Sequence, residues 1–124
     1  MKESEVSTQV KKILARLESS HDIHWWERLN SGRVKTEYGS WLQLCRPGTP
    51  DFIMVCKNKQ TTISIIFIEC KSDTGKMSPE QHDFCHRYVC QPYIYYFVIS
   101  DPYKLSGQIL DIAYDRVGAI KYEV

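Results

Sequence analysis

The stretch that decides the fold reads TTISIIFIECK and runs from Thr61 to Lys71. It is apolar on both sides and rich in β-branched residues, which is typical of a strand covered on both faces in the centre of a sheet. Because side chains along a strand alternate between faces, Glu69 and Lys71 are expected on one face, about 7 Å apart. The buried apolar row therefore becomes charged where the strand ends. Buried charges are costly unless they are paired or bound to a metal ion, so this strand end is a candidate site.

A shorter β-prone run precedes this strand. Asp51 opens the run DFIMVC, which is followed by the polar turn Lys57-Asn58-Lys59-Gln60. A hairpin that turns at residues 57–60 brings Asp51 next to Glu69, since residue 60 is the midpoint between them. Two carboxylates that meet repel each other, and a divalent cation offsets the repulsion. Hard oxygen ligands favour Mg²⁺ or Mn²⁺ over zinc.

The neighbouring groups extend this candidate metal site. The backbone carbonyl of Cys70 is one more oxygen ligand, and the ammonium of Lys71 can orient a water molecule or stabilise charge on a phosphate. A metal-bound water has a lowered pKa. Together these groups are suited to hydrolysis of a phosphodiester.

Two helices are predicted around the strands. Residues 3–18 carry one apolar stripe, formed by Val6, Val10, Ile13, Leu14 and Leu17. Glu3 extends that stripe and is therefore expected on the face packed against the sheet, whereas Glu5 points away from it. A second helix is expected from Ser78 to about Cys90, since Ser78 can cap it, Pro79 suits the first turn and Gln81 completes a capping box.

The remaining segments complete a single α/β domain over residues 1–124 with a mixed central sheet. Strands are expected around residues 25–29, 33–38, 40–44 and 93–100. A short helix or irregular stretch follows residue 102, with a last strand near residues 119–123. The length of 124 residues suits one domain.

Composition limits the possible partners and compartments. With 16 Lys and Arg against 15 Asp and Glu, the net charge of +1 excludes a protein that holds DNA by bulk electrostatics alone. The five cysteines have no framework spacing, which predicts free thiols in a reducing cytosol. The N-terminus has no apolar signal region, and the longest apolar run, Ile65 to Ile68, is far too short to span a membrane. We expect a cytoplasmic protein.

Four motifs carry a resemblance to a known family. Pro50-Asp51 followed by Glu69-Cys70-Lys71 resembles the signature of the PD-(D/E)XK nucleases. The wider set, which resembles the VRR-NUC branch of that superfamily, is RLNSG at 28–32, GTPDF at 48–52, IECK at 68–71 and GKMSPEQ at 75–81. The resemblance spans roughly residues 3–100.

The resemblance implies a restriction-endonuclease-like core, with a central mixed sheet flanked by helices, and Mg²⁺- or Mn²⁺-dependent cleavage of DNA. Stand-alone members of this kind are phage- or bacterium-encoded. For them it implies a homodimer that acts on branched DNA such as Holliday junctions, in the cytoplasm of a bacterium or a phage-infected cell.

The resemblance also implies a role for single residues. Asp51 and Glu69 correspond to metal ligands, Lys71 to the catalytic lysine and Gln81 to a glutamine that points into the site. The glutamate of the first helix corresponds to Glu3, with Glu5 as the fallback. Basic residues cluster in the middle of the chain, and the residues expected to contact DNA are Arg28, Asn30, Arg33 and Lys76.

Plainer readings exist for each feature. Glu69 and Lys71 can be a solvated strand end with a weak surface ion pair. Gln81 can serve the capping box alone, and Glu3 can be a disordered terminal residue. The tryptophans can stack on unpaired bases, or fill a core or a dimer seam. The pattern HDFCHRYVC at 82–90 resembles metal-ligand spacing, but one helix rarely aims four ligands at one ion, so an ordinary helix face is favoured.

These residues together predict a metal-dependent, structure-selective DNA endonuclease. The alternatives are a linear-duplex or flap nuclease with the same site, a catalytically inactive DNA-binding module, and a structural partner protein with no nucleic-acid role.

Overall fold

A computed structural model describes residues 1–30, 32–57, 62–89, 91–114 and 122–123. The helices are α1 (Glu3–Ser19), α2 (Pro79–Val89) and α3 (Leu105–Ala113). The strands are β1 (Trp25–Arg28), β2 (Arg33–Lys35), β3 (Trp41–Gln43), β4 (Phe52–Lys57), β5 (Ile63–Cys70), β6 (Ile94–Ile99) and β7 (Tyr122–Glu123).

Five of these strands form one sheet in the order β1-β4-β5-β6-β7. The pairs β1–β4 and β4–β5 are antiparallel, whereas β5–β6 and β6–β7 are parallel. The prediction of an α/β fold with a mixed central sheet and flanking helices is confirmed. Its most apolar strand, β5, is central, because a strand buried on both faces needs neighbours on both edges.

The register between β4 and β5 positions the candidate site. Phe52 lies opposite Ile68, and Lys57 lies opposite Ile63. Continued by one residue, this register sets Asp51 opposite Glu69 at the same end of the sheet. The predicted antiparallel pairing of the two runs is confirmed, while most of the predicted turn, residues 58–60, lies outside the described residues.

The main hydrophobic core lies on the face of the sheet that α1 and α3 cover. The apolar stripe of α1 is buried as predicted, at Val6, Val10, Leu14 and Leu17, with Ile13 packed against it. The stretch after residue 102 is better ordered than the sequence indicated. A 3-10 turn at Pro102–Lys104 leads into α3, which buries Leu105, Ile109, Ile112 and Ala113.

Helix α2 covers part of the opposite face through an aromatic cluster. The rings of Phe67 and Phe84 meet edge to face with centroids 5.0 Å apart, and Tyr88 lies 4.8 Å from Phe84. The ring centroid of Tyr96, on β6, lies 6.3 Å from that of Phe84. Such pairs contribute about 0.5–1.5 kcal/mol each beyond the area that they bury. The predicted end of α2 near Cys90 agrees with an end at Val89, and Cys90 itself lies outside the described residues.

The short strands between residues 25 and 44 divide into two groups. Strand β1 joins the edge of the central sheet, whereas β2 and β3 pair only with each other as a separate hairpin. All three are shorter than the segments predicted from sequence.

The thiols of Cys45, Cys56, Cys70 and Cys85 are free in the part of the chain that is described. Over the same residues, no helix combines the length and apolar character needed to cross a membrane.

Candidate active site

The carboxylates of Asp51 and Glu69 lie together at the sheet end where β4 begins and β5 finishes. The Oδ2 atom of Asp51 accepts a hydrogen bond of 2.7 Å from the backbone N–H of Cys70, which fixes Asp51 against the end of β5. Glu69 is only 3% exposed. The structure thus brings together the two carboxylates that the sequence pattern selected.

Burial, followed by the negative charge of Asp51, raises the pKa of Glu69 to about 9. The ammonium of Lys71 opposes this rise, and the charge of Glu3 adds to it. The two oxygens of Glu69 differ. Oε1 accepts a 3.0 Å hydrogen bond from Nε2 of Gln81, whereas Oε2 is buried with no hydrogen-bond partner among the described residues.

This arrangement fits a divalent cation. A buried carboxylate oxygen without a partner is costly, and a neighbouring second carboxylate makes it more so. Both groups supply hard oxygen ligands, the type that Mg²⁺ and Mn²⁺ prefer. No group of three or more His, Cys, Asp and Glu side chains that could hold a metal ion is found within the described ranges.

The start of α2 positions Gln81. The backbone N–H of Gln81 donates to Oγ of Ser78 at 3.2 Å, and the N–H of Ser78 donates to Oε1 of Gln81 at 2.8 Å. This is the predicted capping box. The cap uses the amide oxygen of Gln81, whereas the contact with Glu69 uses its amide nitrogen, so the cap and this contact exist at the same time.

Lys71 follows β5 and remains on the face of Glu69. Its backbone N–H donates to the carbonyl of Ile99 at 2.9 Å, which continues the pairing of β5 with β6 by one residue. Its Nζ atom lies 3.9 Å from Oε1 of Glu69. The plainer reading of a solvated surface pair does not apply, since the side chains of Lys71 and Glu69 are 13% and 4% exposed.

The two glutamates at the start of α1 have different surroundings. The N-terminal ammonium of Met1 lies 2.6 Å from Oδ2 of Asp73, which places the start of α1 beside the segment that follows β5. The charge of Glu3 raises the pKa of both Glu69 and Cys70. Glu5 instead accepts a 3.1 Å hydrogen bond from the N–H of Lys2 and so caps its own helix.

One expectation for Glu3 is wrong. Its side chain is exposed rather than packed against the sheet, because the buried part of the α1 stripe begins one turn later, at Val6. Glu3 is nevertheless part of α1, which does not agree with the reading of a disordered terminal residue.

Cys70 takes part through its main chain. Its side chain is buried in the core on the opposite face of the sheet. Burial, followed by the charges of Asp51 and Glu69, raises the pKa of its thiol, which keeps the thiol protonated. Its backbone carbonyl remains a predicted ligand.

The four predicted DNA contacts lie in four different segments. Arg28 ends β1 opposite Phe52, and its charge partly opposes the rise in the pKa of Cys70, so it lies beside the site. The Oδ1 atom of Asn30 accepts a 2.9 Å hydrogen bond from the N–H of Gly32, which gives Asn30 a role in shaping the loop. Arg33 lies on the hairpin, and Lys76 is exposed in the loop before α2. Ser31, within the same motif, lies outside the described residues.

Gly48 has a structural role that sequence reasoning missed. Its φ is +92°, and a Cβ atom there would lie 2.4 Å from the carbonyl oxygen of Glu80. The loop that delivers Asp51 therefore rests directly on the first turn of α2. The glycine was visible within the GTPDF motif, but its positive φ and this close approach were not.

Two further features lie around the site. The hydroxyl of Tyr96 is buried on the α2 side with no hydrogen-bond partner in the described structure, and burial, followed by the charge of Glu69, raises its pKa.

A cavity of about 230 Å³ lies between α2 and the loop that precedes Asp51, and neither Asp51 nor Glu69 lines it. Its lining includes Arg46, Thr49 and Arg87.

The described His and Cys residues of α2 form no metal-binding group. Cys85 is buried, whereas His82 and His86 are exposed, with ring centroids 6.4 Å apart. Cys90 lies outside the described residues.

The comparison with known families decides the assignment. The model of the VRR-NUC domain matches residues 1–98. The chain belongs to the VRR-NUC family. The matched range holds every candidate residue named above, from Glu3 to Gln81, whereas α3 follows it. Searches of the curated proteins and of the solved structures found no match.

Membership of the VRR-NUC family gives this chain a nuclease-type function, with DNA as the implied partner. Nucleases of this family generally use divalent metal ions. The paired carboxylates described above are the groups of this VRR-NUC domain that fit such an ion.

Proposed function

We propose that this VRR-NUC chain is a Mg²⁺- or Mn²⁺-dependent endonuclease that hydrolyses phosphodiester bonds in DNA, with a preference for branched DNA such as Holliday junctions. The observation that carries the proposal is the buried Oε2 of Glu69, which has no partner among the described residues and stands beside Asp51. A carboxylate held in this way is poised for a cation.

Asp51 and Glu69 would hold the ion, and Glu3 and the carbonyl of Cys70 would supply further oxygen ligands. When bound, the ion lowers the pKa of a coordinated water and neutralises charge on the phosphate. Gln81 fixes Oε1 of Glu69, and this leaves Oε2 for ligation. The backbone N–H of Cys70 orients Asp51 in the same manner.

Lys71 supplies the positive charge of the site. Its ammonium, on a largely buried side chain and 3.9 Å from Oε1 of Glu69, can donate hydrogen bonds to the attacking water or to a phosphate oxygen. Charge stabilisation of this kind is strong in a partly desolvated site and typically accounts for several kcal/mol of a barrier.

The substrate preference and the assembly rest on the family resemblance. Two protomers related by a two-fold axis would present two active sites to the two strands that must be cut in a four-way junction. The setting would be the cytoplasm of a bacterium or a phage-infected cell.

The decisive experiment is a cleavage assay with labelled four-way, flap, fork and linear duplex DNA in Mg²⁺, Mn²⁺ or EDTA. We expect cleavage of branched DNA with either metal and none with EDTA. Asp51→Asn and Lys71→Ala should abolish cleavage while leaving the fold intact. Glu18→Gln and Lys12→Ala, on the exposed side of α1, are the matched controls and should cut normally.

Each contrary result has a definite meaning. Undiminished cleavage by pure Asp51→Asn or Lys71→Ala would refute the site. Faster cutting of linear or flap DNA would replace the proposed substrate by that one. Binding of DNA without cleavage would indicate an inactive module, and no binding even in low salt would indicate a structural partner protein.

A further inference from the structure

The β2–β3 hairpin is rooted beside the candidate active site. The chain leaves the central sheet after Arg28 and returns to it at Phe52, and these two residues are paired. Between them, the N–H of Leu29 donates to the carbonyl of Asp51 at 2.7 Å. The hairpin is thus an insertion at the sheet end that carries the two carboxylates.

The two faces of this hairpin differ in chemistry. Partners across an antiparallel pair share a face, so the register Lys35↔Trp41 and Arg33↔Gln43 puts Arg33, Lys35 and Trp41 on one side. The pair Val34↔Leu42 lies on the other side. The first side, which we call the cationic face, is defined by Arg33, Lys35 and Trp41.

The cationic face is open to solvent. Arg33 and Lys35 are exposed, and Trp41 is 60% exposed. The guanidinium of Arg33 lies 5.9 Å from the centroid of the Trp41 ring, within the range of a cation–π contact that holds the indole in place. An exposed indole that shares a face with two cations suits a polyanion that carries flat bases.

We propose that the cationic face binds DNA next to the scissile phosphate, with Arg33 and Lys35 on backbone phosphates and Trp41 stacked on a base left unpaired at the branch. This inference rests on the proposed function and names the part of the substrate that the hairpin reads. Strands β2 and β3 have three residues each and extend for about 10 Å, so the hairpin reaches nucleotides within roughly three base steps of its root beside the carboxylates.

Charge decides between DNA and a second copy of this chain as the occupant of this face. Another copy would have to neutralise the two cations with acidic groups, whereas every phosphate of DNA supplies a negative charge. The apolar pair Val34 and Leu42 lies on the opposite side, which leaves the cationic face free for DNA.

The test measures binding without cleavage, by fluorescence anisotropy of labelled four-way DNA and linear duplex in EDTA with Asp51→Asn protein. In that background, Trp41→Ala should weaken binding of four-way DNA roughly 5- to 100-fold, the usual effect of losing one stacked base. Trp41→Phe should retain most of the affinity, because phenylalanine can still stack. Binding of linear duplex should change much less.

Salt dependence tests the two cations separately. Removing one phosphate contact lowers the slope of log Kd against log salt concentration by about one. Arg33→Ala and Lys35→Ala should each show this change, which a merely structural role would not produce. Val34→Thr keeps a β-branched residue on the opposite face and is the matched control, with affinity and slope unchanged.

Several outcomes would overturn the inference. If Trp41→Ala binds four-way DNA with wild-type affinity, Trp41 does not contact the DNA. If Val34→Thr loses as much affinity as Trp41→Ala, the loss reflects a general disturbance of the hairpin and not a contact of Trp41 with DNA. A lower molar mass of Val34→Thr or Trp41→Ala in light scattering, together with weaker binding, would show that the hairpin joins two copies instead. Cleavage of branched DNA by the otherwise wild-type Trp41→Ala enzyme with unchanged KM would refute the hairpin role alone and leave the proposed function standing. Failure of the wild-type protein to bind any DNA would refute both.

Discussion

Nε2 of Gln81 donates a hydrogen bond of 3.0 Å to Oε1 of Glu69, and this bond joins the start of α2 to the end of β5. The same side chain accepts a hydrogen bond from the N–H of Ser78 through its own oxygen. One glutamine thereby caps a helix and orients a carboxylate. The two roles can be separated by mutation.

Gln81→Glu should preserve the helix and damage the site. Glutamate at this position still completes a capping box, so the melting temperature should stay close to that of the wild type. The new carboxylate removes the donor to Glu69 and adds a like charge, so we expect cleavage to slow roughly 10- to 100-fold, the value of a hydrogen bond to a charged group. Ser78→Ala is the reciprocal control. It should cost about 1 kcal/mol of stability and leave the cleavage rate of the folded protein unchanged.

The stability of the metal-free protein should fall as pH rises. Burial raises the pKa of Glu69 to about 9 from its ordinary value of 4.5, so the folded protein holds a proton that the unfolded chain releases. The free energy of unfolding therefore decreases from about pH 5 to about pH 9, and urea unfolding in EDTA measures this decrease. Glu69→Gln should flatten the profile over that window, whereas Glu18→Gln should keep it. A flat wild-type profile would contradict the prediction.

Divalent cations should stabilise the protein, and more strongly at high pH. The ion binds the deprotonated carboxylates, so it competes with the proton on Glu69. At a free ion concentration one hundred times Kd the gain is about 2.7 kcal/mol, which thermal unfolding detects easily. Mg²⁺ and Mn²⁺ should raise the melting temperature of the wild type and of Glu18→Gln, but not of Asp51→Asn or Glu69→Gln. An equal rise in all four would indicate binding elsewhere.

Gly48→Ala should destabilise the protein more than Gly39→Ala does. Both glycines have positive φ, at +92° and +84°, so both alanines carry backbone strain of about 1–2 kcal/mol. A Cβ at Gly48 also meets the backbone of Glu80, whereas one at Gly39 meets no atom of the described structure within 4 Å. The difference in unfolding free energy should be about 2 kcal/mol. Equal effects would show that the loop does not rest on α2.

Glu3→Gln and Glu5→Gln should separate the two candidates on α1. Glu3 acts on Glu69 and Cys70 through its charge, so its loss should weaken Mg²⁺ binding and raise the metal concentration that cleavage requires. Glu5 accepts from the N–H of Lys2, so its substitution should act on the stability of α1. A larger change in metal dependence for Glu5→Gln would transfer the role to Glu5.

Much of the fold was predictable because its strongest signals are periodic. The both-sided apolar run of β5 predicted a central strand, and the stripe of α1 predicted its buried face. The meeting of Asp51 and Glu69 followed from the midpoint of the turn, since an antiparallel pair fixes its own register. The capping box at Ser78 involves only neighbouring residues, so it could also be predicted from the sequence.

Other features depend on tertiary contacts that no local pattern contains. The exposure of Glu3 depends on where along α1 the packing against the sheet begins. The close approach of Gly48 to Glu80 joins segments that are distant in sequence. The separation of β2 and β3 from the central sheet was equally hidden, because short polar strands carry little register information. The order of α3 arises from its burial against the core rather than from capping signals.

The position of the hydrophobic core determines which part of the protein should open first on heating. The cluster that stabilises the fold lies on the α1 and α3 side, and no described residue of α2 belongs to it. Yet α2 carries Gln81 and supports the loop of Gly48, both of which hold the carboxylates in place. On warming, α2 can therefore detach as a local opening while the rest of the molecule stays folded. Catalytic capacity would then vanish several degrees below the temperature at which the protein melts, and it would return on cooling without any refolding of the core.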